Sequence, residues 1–219
     1  MIVGLVDIGI GNLGSVENAL SRCRSQKISV RQVTAPDQLA AVDAVVLPGV
    51  GAFAPAMEKL HRSGLGDALT QKVLVEKTPF LGICVGMQLI AAHSEEGVGA
   101  DGLGWVTGQW VRLKAEKGFP VPHVGWNSVR RVRTSPLLDG IRDDTHFYFD
   151  HSFTYTEDSE TVIAESEYGG ASVVSALQRD NVFAVQFHPE RSQRSGALML
   201  ENFVRIAAER FDDRAGGAS

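Results

Sequence analysis

The chain has 219 residues, 44% of them hydrophobic, a length and balance that suit a globular protein with a full core. A net charge of −5 and the lack of a long basic run argue against a general nucleic-acid surface, which needs clustered Lys and Arg. Two cysteines, Cys23 and Cys84, build no disulfide framework and lack a C-x-x-C neighbour, so a reducing cytoplasm is expected and no metal or other cofactor is called for.

The opening run from Met1 to Val6 has no basic n-region, reaches Asp7 at once and is too short to span a bilayer, so it predicts a first strand over Ile2 to Val6. Asn12 to Arg24 predicts a helix with Leu13, Val16, Leu20 and Cys23 along one side, which makes Cys23 a packing residue. Between them Gly9-Ile10-Gly11-Asn12-Leu13-Gly14 fits the G-x-G-x-x-G dinucleotide pattern. The next strand, Ile28 to Val33, ends in Thr34-Ala35-Pro36 and not in the acidic residue that would hold a ribose. A glycine-rich loop at the carboxyl edge of a parallel sheet is the better reading.

Asp43 to Leu47 predicts the third strand, followed by Pro48-Gly49-Val50-Gly51-Ala52-Phe53 and a helix from about Ala54 to His61. Glycines on both sides of Val50 let a peptide plane turn its N–H toward a ligand, as an oxyanion hole requires. Leu65 to Glu76 predicts another helix. Phe80 to Ile83 then reads as a buried strand and Val85 to Ala92 as the opening of a helix, with Cys84 on the turn between them. Gly82 and Gly86 complete a G-x-C-x-G nucleophile elbow, and a thiol at a helix N-terminus is favoured as the thiolate. Alternating strands and helices joined in this way make a parallel, doubly wound sheet that binds ligands at its carboxyl edge.

After Ala92 the pattern changes. Trp105 to Lys114 and Val121 to Arg133 alternate as strands on either side of a Gly-Phe-Pro turn, and Arg130, Arg131 and Arg133 read as a solvated strand face. Ser135 to Gly140 predicts a capped helical turn, and Thr145 to Tyr155 is dense in aromatic residues. Ser172 to Leu177 and Val182 to Phe187 predict a hairpin, and a helix from about Ser195 to Glu209 closes the chain. The second hairpin strand runs into His188-Pro189-Glu190, where His188 and Glu190 project to one side if the segment is extended. Cys84, His188 and Glu190 are the parts of a Cys-His-Glu acyl-transfer site, provided that the strand ending at His188 lies near the one ending at Cys84. One domain over residues 1–211 is expected, with residues 212–219 as a frayed tail.

Leu81 to Gln88 together with Gln186-Phe187-His188-Pro189-Glu190 resembles the class I, or triad, glutamine amidotransferases. More narrowly, Gly11 to Val16, Leu47 to Phe53, Pro122 to Asn127 and Phe147 to Ser152 are similar to blocks of the glutaminase subunits of imidazole glycerol phosphate synthases, enzymes of histidine biosynthesis. The resemblance implies a flavodoxin-like α/β fold, a mixed but mainly parallel sheet flanked by helices. It implies hydrolysis of glutamine to glutamate and ammonia by Cys84, His188 and Glu190 through a cysteine thioester. An oxyanion hole would come from the Val50, Gly51 and Val85 region, and glutamine contacts from Gly49, Gln88, Glu96, His151, Ser152 and Phe153. The partner implied is a (β/α)8-barrel synthase subunit, forming a heterodimer across a face that holds Asn12, Trp126, Tyr148 and Arg191. Ile8, Asp150 and Phe153 depart from the residues usual at those places.

Overall fold

The computed structural model describes residues 1–156 and 160–216, with backbone alone for 213–216. Among these residues the first half holds β1 (Ile2–Val6), α1 (Leu13–Ser21), β2 (Ser29–Val33), β3 (Ala44–Gly49), α2 (Phe53–Ser63), α3 (Leu65–Thr70), β4 (Phe80–Cys84) and α4 (Val85–Gln88). Short strands β5 (His93–Ser94), β6 (Ala100–Asp101) and β7 (Gln109–Arg112) follow, then β8 (His123–Arg131), β9 (Thr145–His151) and β10 (Phe153–Thr156). The chain ends with β11 (Val162–Tyr168), β12 (Ala171–Arg179), β13 (Val182–Val185) and α5 (Gln193–Gly216).

Nine strands form one sheet in the order β2-β1-β3-β4-β13-β12-β11-β8-β9, and four form a second in the order β10-β7-β5-β6. The run from β2 to β13 is parallel, and from β13 to β9 each neighbour is antiparallel. Parallel strands are covered by helices on both faces and therefore read as unbroken apolar runs. Val3, Leu5, Val45, Val46, Leu47, Phe80 and Leu81 are accordingly without solvent exposure. β13 joins the two halves: Val182 to Val185 pair in parallel with Phe80 to Ile83 of β4 and antiparallel with β12. This is the adjacency that the separation of Cys84 and His188 in sequence demands.

Several elements differ from the sequence expectation for physical reasons. α4 stops at Gln88 because the Leu89, Ile90 and Ala91 carbonyls are taken by N–H groups of Leu103, Gly104, Trp105 and Val106, which turns the chain away from a helical path. β7 and β8 do not form a hairpin with each other: β7 joins β10 and β5 in the small sheet, and β8 joins β9 and β11 in the large one. The aromatic stretch splits at Ser152, so β9 and β10 serve different sheets. α5 runs on to Gly216, past the boundary expected at residue 211, and residues 217–219 lie outside the described residues. Among the described residues no helix is long and apolar enough to cross a membrane.

The elbow depends on close backbone approach. A Cβ on Gly86 would lie 1.8 Å from the Leu47 carbonyl oxygen, and one on Gly82 would lie 2.6 Å from the Gly86 carbonyl oxygen. Both obstacles are backbone and cannot rotate away. Gly86→Ala is therefore expected to cost about 3 kcal/mol of stability, the upper end of ordinary overpacking, and the urea unfolding midpoint measures it. An unchanged midpoint would mean that β3 and α4 are not packed this closely.

Candidate active site

Cys84 ends β4 with φ 54° and ψ −111°, a left-handed backbone that a non-glycine residue adopts only where the surroundings impose it. Cys84 lines a cavity of about 240 Å³ together with Val50, Gly51, Val85, Gln88, Glu96 and His188. Pro122, Asp150, His151, Ser152 and Phe153 complete the lining. Phe153 opens β10 at the edge of the small sheet, so the cavity lies where the carboxyl edge of the large sheet meets it.

His188 follows β13 and is 5% exposed, and its N–H donates to the Tyr148 carbonyl at 2.8 Å. Residues 189–191 form a 3-10 turn rather than the extended segment expected, and that turn swings Glu190 back toward the ring. His188 Nδ1 donates to Glu190 Oε1 at 2.8 Å, which leaves Nε2 for the hydrogen bond between the ring and the Cys84 side chain. Burial pushes the His188 pKa down, but the hydrogen bonds to Cys84 and Glu190 and their charges outweigh it and raise it to about 10. The imidazole thus carries a proton at neutral pH and faces the sulfur. Ser192 fixes the turn, its hydroxyl donating to the His188 carbonyl at 2.6 Å and accepting the Tyr148 N–H at 3.0 Å.

Cys23 is a contrast. Burial, with the Glu201 carboxylate adding to it, pushes that thiol up to about 12, and its sulfur donates to the Ala19 carbonyl at 3.8 Å. It packs, as the helical periodicity predicts, and offers no nucleophile near pH 7.

Val50 is 43% exposed at the cavity edge, and Gly51 adopts φ 99° with open space where a Cβ would be. Gly49 does not line the cavity as expected for a glutamine contact. It stands behind the wall, where a Cβ would come within 2.9 Å of the Val85 Cβ. Glu96 reaches the cavity, and its Oε2 accepts the N–H of Phe53, the first residue of α2, at 2.6 Å. It therefore anchors the end of the Val50-Gly51-Ala52 loop. His151 lines the cavity too, yet both its ring nitrogens are engaged within the protein, so it presents a ring edge and not a polar group.

The profile of the family described as Glutamine amidotransferase class-I matches residues 4–207. The chain belongs to the class-I glutamine amidotransferase family. Similar relatives include imidazole glycerol phosphate synthase subunit HisH 1 of Campylobacter jejuni, 40% identical over 94% of this chain and all of that protein. Subunit HisH of Methanocaldococcus jannaschii is 39% identical with the same coverage, and that of a Synechococcus strain is 41% identical over 95% of each. Among solved structures, the glutaminase domain of Trypanosoma brucei CTPS superposes with a TM-score of 0.70 at 17% identity, covering 95% of this chain and 94% of that one. PurLQS from Thermotoga maritima superposes at 0.72 with 15% identity, covering 94% and 98%. At such identities the likeness speaks for the fold.

Behind the amidotransferase cavity, against Cys84, stands a group that the sequence did not single out. Gln186 is buried, donates its amide toward the Cys84 sulfur at 3.6 Å and accepts from the Gln88 amide at 3.0 Å. Its place at the end of β13, two residues before His188, was the available signal. The Asp150 side chain is exposed, its carbonyl oxygen lies 3.8 Å from the sulfur and its charge acts on His151, so the departure at Asp150 reaches the site through both backbone and charge. Ile8 is absorbed in the core and Phe153 is 8% exposed. On the outer face of this amidotransferase Arg191 lies 3.8 Å over the Tyr148 ring, and Trp126, 46% exposed, meets Tyr148 edge-on at 6.2 Å. Asn12 caps α1, which packs against the 189–191 turn.

Proposed function

We propose that this chain is the glutaminase subunit of an imidazole glycerol phosphate synthase, with residues 1–211 as its amidotransferase domain, working in the cytoplasm as a heterodimer with a (β/α)8-barrel synthase subunit. The observation that carries the chemistry is His188, hydrogen-bonded to both Cys84 and Glu190 at the head of a strained elbow. Similarity to HisH subunits along nearly the whole chain supports the substrate and the partner.

In this reading the Cys84 thiolate attacks the side-chain amide carbon of glutamine, and the carbonyl oxygen becomes an oxyanion. Backbone N–H groups of Val85 and of the Val50-Gly51 peptide receive it, each donor being worth roughly 3 kcal/mol. Protonated His188 gives its proton to the amide nitrogen, which leaves as ammonia, and Glu190 holds the ring in the tautomer this needs. Water activated by the now neutral His188 hydrolyses the glutamyl thioester to glutamate. Gln88, Glu96, Ser152 and Phe153 bound the glutamine, Glu96 being the carboxylate suited to its ammonium group. Trp126, Tyr148, Arg191 and Asn12 contribute to the face that meets the synthase.

Glutamine hydrolysis by a free subunit would lose ammonia to solvent, and the Gly49-Val50-Gly51 segment supplies a means of control. A peptide that rests with its N–H turned away leaves the oxyanion with one donor, and partner contacts favour the other orientation by their differential energy. Hydrolysis is expected to rise on the order of a hundredfold from the free subunit to the complex with liganded synthase, the worth of one donor. Gly51→Val, placing a β-branched residue at φ 99° where there is space but backbone strain, should blunt that rise. Equal rates for the subunit alone, with synthase and with liganded synthase would refute the control, and failure to co-purify with a synthase would refute the partner.

A further inference from the structure

A chain of side chains leads from the cavity wall into the β8–β9 strand pair, where His123 stands opposite His151 in register. The direction of each bond follows from its ends. The Phe153 carbonyl can only accept, so His151 Nδ1, 2.8 Å away, carries a hydrogen. Neutral His151 then has Nε2 as an acceptor, and His123 Nδ1, 2.9 Å from it, must be the donor. His123 Nε2 is left as an acceptor facing Asn127 Nδ2 at 3.4 Å. The orientation of that amide is fixed independently, since Nδ2 donates to the Glu167 carbonyl at 2.9 Å and Oδ1 accepts the Ser128 N–H at 2.8 Å.

Nothing in this chain tolerates a second proton. A hydrogen on His151 Nε2 would force His123 to accept at Nδ1 and to carry its hydrogen on Nε2, against the Asn127 amide. Burial, and for His123 the neighbouring His151, pushes the His123 pKa down to about 4; burial also leads the fall of His151 to about 4. The His123 ring cannot swing aside, being stacked between Phe149 at 4.9 Å and Tyr168 at 4.0 Å, and the Tyr168 hydroxyl donates to the Pro120 carbonyl at 2.6 Å. The Ser152 carbonyl accepts from the Leu113 N–H at 2.9 Å. The peptide planes of Ser152 and Phe153, both in the cavity wall, are therefore set from behind.

We propose that His123 is a positioning residue of the glutamine site: by donating Nδ1–H to His151 Nε2 it fixes the neutral His151 tautomer that holds the Phe153 carbonyl, and so shapes the wall against which the substrate lies. Asn127 completes the chain by receiving no proton from His123 and offering one to it. The inference rests on the glutaminase reading above, and it assigns His151 to the wall's support rather than to a polar contact with glutamine.

The test has two parts, both on the complex with the synthase. Long-range proton–nitrogen correlation spectra of the histidine-labelled protein at neutral pH should show both His123 and His151 as Nδ1–H tautomers. Either one as Nε2–H overturns the proposal, whatever the activity. In kinetics, His123→Phe keeps the stacked ring and loses the donor. It should raise the KM for glutamine about tenfold, the worth of one buried hydrogen bond, with kcat within about twofold. His123→Asn, whose amide nitrogen falls near the place of Nδ1, should recover most of that loss. An unchanged KM in His123→Phe, or equal losses in both variants, overturns the proposal. Should His123→Phe fail to fold, the tautomers and His123→Asn still decide. A wild-type complex without glutaminase activity would instead defeat the functional reading and leave the tautomer result standing.

Discussion

Cys84→Ala is expected to lower glutamine-dependent synthesis by the complex by roughly four orders of magnitude or more, while synthesis from added ammonium salt stays near the wild-type rate. The asymmetry is expected because, in the proposed mechanism, the sulfur forms the bond to the glutamyl carbon and nothing else lining the cavity can. Gln88 and Ser152 are poor nucleophiles without a base, and His188 faces the sulfur. Cys84 is only 4% exposed, and removing its sulfur leaves a small void rather than a broken contact with the partner. Turnover of glutamine in the alanine variant would refute the nucleophile. Parallel loss of the ammonia-dependent reaction would show instead that the variant fails to assemble.

The second large effect separates His188 from Glu190. His188→Ala should approach the loss of Cys84→Ala, because the ring both shares its proton with the sulfur and delivers it to the leaving nitrogen. Glu190→Gln should retain measurable activity, roughly a hundredth or less of wild type, since an amide oxygen still accepts from Nδ1 but no longer supports the imidazolium charge. The pH dependence carries the sign. The His188 pKa is raised to about 10, so the protonated ring and the stability it contributes are fully present below its unfolded value near 6.5 and are lost as pH rises through 10. Glu190→Gln removes one of the groups that raise it, and the alkaline limb of kcat/KM should move toward neutral pH. An unmoved limb would assign that titration to another group.

The parallel half of the fold was legible because β1, β3 and β4 are apolar runs set between helices, and covered strands have no other way to read. The elbow was legible because its two glycines have a steric cause, now visible as backbone oxygens where their Cβ atoms would be. α4 was overestimated because apolar spacing cannot reveal that a distant loop at Leu103 to Val106 takes the carbonyls a helix would use. The destinations of β7 and β8 were hidden for a related reason: alternation identifies a strand, not the sheet it joins. His188 and Glu190 were found together although the assumed geometry was wrong, since a 3-10 turn also brings residues two apart within reach. The partnership of His123 and His151, 28 residues apart, is set by strand register, which a single sequence does not display.

β13 is a late strand in a central place, inserted between β4 and β12 with Phe80 to Ile83 on one side. During synthesis the elbow itself, from β3 to α4, leaves the ribosome long before the base exists, because 104 residues separate Cys84 from His188. The growing chain can thus collapse around its elbow while chemically inert. In this topology competence is expected only once the β12–β13 hairpin fills the gap beside β4, which brings histidine and carboxylate in together. Such long-range pairing slows folding, but it means that a truncated or half-made chain holds a cysteine without the means to release ammonia.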